Sequence, residues 1–377
     1  MKIIINTSHQ RFGGAIQVAL SFIYECIQFP EHEYHVWVGS GIGKSLKEKD
    51  FPGNFTFYYF DFGVIDFSKI RRIQKTLESV ENKIKPDIIM ATSGPSYFHS
   101  KAPQVIGYNL GLYIYPESPY VKNLPLWRRI KLEIKKQIHF YFFRRDAAAY
   151  VVQTDDVNQR VRKELKTELV YTVTNTYNGF YEQQATFPNR LSPRQKNEIR
   201  LLTVSSYYPH KNLEIIPAVV KRLREKGVDN IRFVLTLKKE DYKNKIGAMP
   251  DIINVGPVKP EECPSLYKEC DFMFLPTLAE CFSASYPEAM IMEKPIITTD
   301  LGFARSICGE SAVYYKPGDA EDAVQSILQL INDRTLQEHL ISKEKEQLKK
   351  FDTAHSRAKK YLQICKEMHA NKKLTRV

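Results

Sequence analysis

Short apolar runs alternate with longer helical patterns from end to end of this chain, and that alternation narrows the fold more than any other feature. A strand followed by a helix and another strand needs a crossover connection, so the strands must lie parallel with helices covering the sheet faces. In the first half the runs are Lys2–Asn6, Tyr34–Val38, Phe55–Phe60, Asp87–Thr92, Pro103–Tyr108, Ala149–Gln153 and Leu169–Thr172. Helical spacing appears over Ala15–Ile27, Ser68–Ile84 and Leu126–Phe143. A second series starts at Ile199, with strands at Leu201–Val204, Ile231–Leu237, Ile252–Val255, Phe272–Leu275, Ile296–Thr299 and Val313–Tyr315. Its helices are Leu213–Lys226, stopped by Gly227, then Glu261–Lys268, then Ala320–Ile331 with Asp319 as N-cap. Between the series, residues 179–198 are polar, and a charged helix at Thr353–Glu367 closes the chain.

At 377 residues the chain is too long for one ordinary core. The expected plan is two doubly wound domains, 1–178 and 199–350, joined by a linker at 179–198. Residues 351–377 then form a C-terminal helix that packs back on the first domain. The six cysteines form no C-x-x-C pair and no zinc-spaced cluster, so reduced buried thiols are expected and no metal site. Met1-Lys2-Ile3-Ile4-Ile5 is too short for a signal peptide, and no run reaches the about 18 apolar residues of a membrane span. A cytoplasmic location is the expectation. The net charge of +12 points to an anionic partner without naming one.

In open parallel sheets, ligands sit beyond the carboxyl ends of the strands, so the loops there carry the chemistry. Gly13-Gly14, after the first strand, lets backbone N–H groups approach an anion, although glycines also make plain tight turns. Ser205 to Asn212 follows the first strand of the second series, and Lys211 precedes a helix start there. A lysine about 4 Å from a phosphate gains roughly 4 kcal/mol of Coulomb attraction at an effective dielectric near 20, before desolvation. A solvated surface lysine is the plainer alternative. The loop after Phe272–Leu275 carries Glu280, and Pro287 opens a helix with Ser285 or Tyr286 as its cap, which places Glu288 near the helix N-terminus. Both acids could take hydrogen bonds from sugar hydroxyls, or simply face water and the helix dipole.

At these stretches the chain resembles the family-four glycosyltransferases, retaining enzymes of the α/β GT-B fold with two Rossmann-like domains facing across a cleft. Glu280 and Glu288 keep that family's E-x7-E spacing, inside a run from Val255-Gly256-Pro257-Val258 through Phe274-Leu275-Pro276-Thr277 to Tyr315-Lys316-Pro317-Gly318-Asp319. The resemblance implies Lys211 on the donor diphosphate, Glu288 on the ribose and Glu280 against the sugar. Backbone N–H groups of Phe282 and Ser283 would assist, Val258 would wall the base, and Gly13 and Gly14 would line the cleft. It also implies a nucleotide-sugar donor, a hexosyltransferase-like activity, front-face attack and no cofactor or obligatory metal. Three departures stand out: Ser206 where an arginine is common, Cys281 and Ser283 where glycines are usual, and Asn109 where the first domain has a histidine.

The acceptor, a cell-surface polysaccharide or lipid-linked glycan, would meet the first domain near Asn109 and Tyr113. Residues 126–145 interleave Arg and Lys with Trp127 and Phe side chains. This suits a helix lying largely in the core with its basic face on an anionic membrane, a peripheral attachment at the inner face of the cytoplasmic membrane. Nucleic acid is discounted because the basic residues gather on that one helix and no nucleic-acid motif accompanies them. A catalytically silent nucleotide- or carbohydrate-binding GT-B protein is the alternative from another class. Sugar-nucleotide epimerases and phosphorylases share the two-domain plan but need site residues not found at matching positions.

Overall fold

The computed structural model describes residues 1–11, 13–183 and 187–374 and contains two parallel sheets. The first is built from β1 (Lys2–Asn6), β2 (Glu33–Gly39), β3 (Phe55–Phe60), β4 (Ile88–Ala91), β5 (Gln104–Gly107), β6 (Ala149–Val152) and β7 (Val170–Thr172), in the order β3-β2-β1-β4-β5-β6-β7. The second holds β8 (Ile199–Thr203), β9 (Ile231–Leu235), β10 (Ile252–Asn254), β11 (Phe272–Leu275), β12 (Ile296–Thr299) and β13 (Ala312–Tyr315), in the order β10-β9-β8-β11-β12-β13. Every pairing is parallel. In each sheet the order reverses beside its first strand, at β1–β4 and at β8–β11. That reversal opens a crevice at the carboxyl ends.

Alternation within the strands explains why both faces of the first sheet are covered. Ile3 and Ile5 point into a core with Ala19, Phe22 and Ile23 of the Gly14–Glu25 helix, whereas Ile4 points the other way toward Ile73, Leu77 and Ile84 of the Phe67–Ile84 helix. In the second sheet, Phe233, Phe274 and Tyr315 meet Val219, Val220 and Leu223 from the Ile216–Glu225 helix and Val324 and Ile327 from Ala320–Asn332. Local signals set the helix ends. Asp319 accepts from the N–H groups of Glu321 and Asp322. Gly227, at φ 76°, ends its helix with N–H bonds from Gly227 to Arg224 O and from Val228 to Leu223 O.

The chain divides into two compact units, one of residues 1–114, 125–175 and 352–377, the other of 115–124 and 176–351. The polar stretch at 179–198 thus belongs to the second unit instead of standing free as a linker. Tyr181 and Leu191 within it are buried. Its backbone N–H groups at Arg190 and Leu191 donate to Glu269 at 3.0 and 2.9 Å, and Arg194 pairs with Asp271 at 2.6 Å. Residues 184–186 of that stretch lie outside the described residues. The Ala354–Leu374 helix belongs to the first unit, where Ala358, Tyr361, Leu362 and Cys365 enter its core and Arg357 bonds to Asn175 and Ser21. All six cysteines are buried and none forms a disulfide.

The Arg334–Leu348 helix has no counterpart in the sequence reading, and it carries an odd group. Glu344 is fully buried and neither carboxylate oxygen has a hydrogen-bond partner. Burial pushes its pKa well above the ordinary 4.5, the charge of Glu293 adds to this and Lys345 opposes it. A carboxyl raised in the folded state stabilises fully below about its unfolded pKa and loses that contribution as pH rises toward its folded one. Replacing Glu344 with Gln therefore leaves thermal stability unchanged near pH 4 but raises Tm at pH 8. Calorimetry across pH reads that rise.

Candidate functional site

Strands β8 and β11 pair directly, Leu201 opposite Phe272 and Leu202 opposite Met273, so the loops leaving them emerge side by side. The β8 loop forms a short 3-10 turn at Pro209–Lys211, reverses through Asn212 at φ 54°, and makes a second 3-10 turn at Leu213–Ile215. The α-helix starts only at Ile216, so Lys211 does not share a helix terminus as the sequence suggested. Its partner comes from the other loop. The Lys211 ammonium forms an ion pair with Glu280, and their side chains are 15% and 14% exposed.

Two further bonds, both to His210 O, hold the two loops in register. Leu278 N–H donates to His210 O at 2.8 Å, and the Thr277 hydroxyl lies 3.4 Å from His210 O and 3.2 Å from Glu280 Oε1. The Ser118 hydroxyl donates to Leu278 O at 2.7 Å, from the 115–124 segment of the same unit. Tyr208 stacks on His210 with ring centroids 5.7 Å apart, and Tyr120 meets its edge at 6.2 Å. Burial lowers the His210 pKa, Glu280 opposing and Lys211 adding to the effect, so the imidazole is neutral beside the pair.

Glu288 has different company. It lies in the first turn of the Ser285–Ile291 helix, whose N-cap is Ala284 without a side-chain cap; Ser285 instead contacts Val204 O at 3.4 Å. Burial pushes the Glu288 carboxyl up to about 7, and the hydroxyls of Tyr181 and Tyr267 pull against that. Tyr181 did not figure in the sequence reading, and Tyr267 did so only as part of the run that resembles the family. Tyr181 belongs to the polar 179–198 stretch, where its only signal was an aromatic pair with Phe180.

The other predicted residues divide between the units. Phe282 is half-buried with its ring against Phe351, and Ser283 is buried. Among the described residues, neither backbone N–H has an acceptor. Val258 is half-buried and Ser206 exposed. In the first unit, Gly13 caps the Gly14–Glu25 helix at φ 92°, a conformation that calls for glycine, and a side chain on Gly13 or Gly14 would meet nothing within 4 Å. Phe12 lies outside the described residues. Asn109 donates to Ser93 Oγ at 2.9 Å. Tyr113 does not face outward toward an acceptor: it is buried, packs on Phe140 and bonds through its hydroxyl to His139 at 3.1 Å.

Residues 198–333 match the protein-family model described as glycosyl transferases group 1. The uncharacterized glycosyltransferase MJ1178 of Methanocaldococcus jannaschii is 26% identical over 154 residues, which are 40% of this chain and 43% of that relative's length. Among solved structures, Alr3699/HepE of Anabaena in complex with UDP and glucose is 14% identical with a TM-score of 0.65, covering 100% of both chains. WaaG, a glycosyltransferase involved in lipopolysaccharide biosynthesis, is 15% identical with a TM-score of 0.68, covering 97% of this chain and 99% of its own. A glycosyltransferase from Rickettsia africae reaches 0.71 at 16% identity, covering 97% and 98%. The fold is GT-B.

Within the GT-B chain, the segment matched by the family model contains the whole β8–β11 crevice, from the strands to Lys211, Glu280 and Glu288. The two tyrosines make Glu288 the group most easily checked. Its carboxyl should titrate near pH 7 in carbon-13 spectra of the wild type, with Glu288→Gln removing the signal. A midpoint near the ordinary 4.5 would contradict this environment.

Proposed function

We propose that this GT-B chain is a retaining, metal-independent glycosyltransferase, hexosyl in class, that moves a sugar from a nucleoside diphosphate sugar onto a cell-surface polysaccharide or its lipid-linked precursor. The observation that carries the reading is the Lys211–Glu280 pair, a cation and an acid drawn from two neighbouring strand-end loops at the switch point of a group 1 domain. Each charge stabilises the other while no ligand is bound, which limits the cost of holding them partly buried. A sugar diphosphate offers better partners to both: phosphate oxygens to the ammonium, sugar hydroxyls to the carboxylate. The unpaired N–H groups of Phe282 and Ser283 suit the same oxygens. Val258 suits the base, Gly13 and Gly14 the diphosphate, and Ser206 leaves the phosphate charge mainly to Lys211.

As the carbon–oxygen bond to the phosphate breaks, negative charge grows on the leaving diphosphate, and a lysine already in place stabilises it without solvent reorganisation. The acceptor hydroxyl attacks on the same face and passes its proton to the departing phosphate oxygen, so no side-chain base is needed and His210 can stay neutral. Glu288 in its carboxylate form would accept from the two ribose hydroxyls. Uridine is the favoured base, because Alr3699/HepE was crystallised with UDP and with UDP-glucose.

The Leu126–Asp146 helix supports attachment to an anionic membrane surface from the cytoplasmic side. Phe140, Phe142 and Phe143 near its end are core, but Leu126, Ile130, Ile134 and Tyr141 recur at helical spacing on one side and are 53–71% exposed, with Trp127 beside them at 61%. Lys136 is tied to Glu164 at 2.7 Å, and Arg144 donates to Glu164 O at 2.8 Å. Arg128, Arg129, Lys131 and Lys135 flank the apolar row and suit acidic headgroups. No described helix is long and apolar enough to cross a membrane.

Thermal-shift screening with the uridine, guanosine, adenosine and cytidine diphosphates should identify the base. With the matching nucleotide sugar, Lys211→Ala and Glu280→Gln are each expected to lower kcat by about 100- to 1,000-fold, the usual scale for losing one such electrostatic group. Undiminished turnover in Glu280→Gln would sink the assignment, and nucleotide binding without any turnover in the wild type would favour the silent binding protein. For the membrane, vesicles containing phosphatidylglycerol should co-sediment the chain and shift Trp127 emission to the blue. Neutral vesicles and an Ile130→Glu/Ile134→Glu variant should not; equal binding to both vesicle types would remove the acidic surface from the proposal.

A further inference from the structure

Few large hydrophobic side chains of this protein face water, and most of those lie on the Leu126–Asp146 helix. Among the described residues of the second unit there is one, Tyr208, which is 39% exposed. It stands on the loop leaving β8, three residues before Lys211.

The loop fixes where that ring lies. Tyr208 is extended, at φ −138° and ψ 139°, the conformation favoured before a proline. Pro209 then opens the 3-10 turn that brings the Lys211 N–H onto Tyr208 O at 2.8 Å. The ring stacks on His210 with centroids 5.7 Å apart and planes 24° from parallel, and Tyr120 braces His210 edge-on at 6.2 Å and 73°. His210 O in turn takes the Leu278 N–H from the loop that carries Glu280. Tyr208 is thus tied to both sides of the Lys211–Glu280 pair.

The preceding residue shows what an engaged tyrosine looks like on this loop. Tyr207 is half-buried, its hydroxyl bonds to Glu214, and the Lys245 ammonium lies 5.6 Å from its ring centroid. Among the described residues, the Tyr208 hydroxyl has no hydrogen bond and its ring has no aromatic contact besides His210. A ring already held in one orientation loses little further freedom when something packs on it. It offers an apolar face and a polar tip. A pyranose presents the matching features, a patch of C–H bonds on a ring face and hydroxyls around the rim. A diphosphate has no such face.

We infer that Tyr208 is the stacking platform for the sugar ring of the acceptor, and that it helps to set which acceptors are taken. This rests on the transferase reading, in which Glu280 and the N–H groups of Phe282 and Ser283 serve the donor. The acceptor hydroxyl must then arrive beside the same loops, and Tyr208 is the exposed apolar surface they offer it. Its free hydroxyl suits one hydroxyl of the rim.

Saturation-transfer NMR on the full chain with UDP present reads the contact directly, by irradiating aromatic protons and observing the methyl glycosides of glucose, galactose, mannose and N-acetylglucosamine. At least one glycoside should show saturation on one ring face, lost in Tyr208→Ala but kept in Tyr208→Phe and Tyr207→Phe. With that glycoside as acceptor, Tyr208→Ala should raise its KM about three- to tenfold, the scale of one aromatic contact. UDP affinity and Tm should match the wild type, whereas a merely structural role would move them together with KM. No saturation, saturation equal in wild type and Tyr208→Ala, or saturation confined to the uracil protons of UDP overturns the platform even where UDP binds. Saturation that depends on Tyr208 in a chain that binds no nucleoside diphosphate keeps the sugar platform and removes the transferase reading instead.

Discussion

Strands β8 and β11 lie side by side within a sheet covered by helices, so their chains can leave only at the ends, and the loops at the carboxyl end must share one small space. Crowding there would be costly for two like charges. It is favourable for Lys211 and Glu280, whose pairing offsets the loss of water around each. The pair is therefore a structural latch between the loops. The hydrogen bonds from Leu278 and Thr277 to His210 O place the latch in register, and Ser118 adds a third point of support.

Glu288 shows another way an acid can be held. With no cation described beside it, desolvation pushes its carboxyl up to about 7. Glu344 goes further: it is buried without a hydrogen bond among the described residues, and burial pushes its pKa well above the ordinary value. The three acids differ in environment and not in residue type, which is why their chemistry differs. At the first sheet the same logic works without charge: neutral groups bind one another around Ser93 and leave several polar atoms unspent.

Much of this was legible in the order of residues. The strands of both sheets, the Asp319 cap, the Gly227 stop and the Lys211, Glu280 and Glu288 positions all follow from local patterns and spacing. The errors fall where a residue's role is set by distant chain. Residues 179–198 read as a linker because they are polar, yet Tyr181 is buried and Arg194 pairs with Asp271. Tyr113 was placed on the acceptor side, yet it is buried. The helix at 126–146 was expected to hide its apolar side, but several of its large hydrophobic residues are exposed. Aromatic side chains serve core and ligand alike, and composition does not separate the two uses.

The sequence by itself determined the parallel strand–helix alternation, the two-sheet plan and the acids and lysine of the strand-end loops, because backbone periodicity and turn chemistry act over a few residues. Only the tertiary structure decided that Lys211 pairs with Glu280, that Glu288 lies among tyrosines, and that Asn109 bonds to Ser93 and Gln10 to Thr92. Those outcomes depend on burial and on contacts between residues tens of positions apart. Dielectric environment and hydrogen-bond supply exist only once the chain has closed around them.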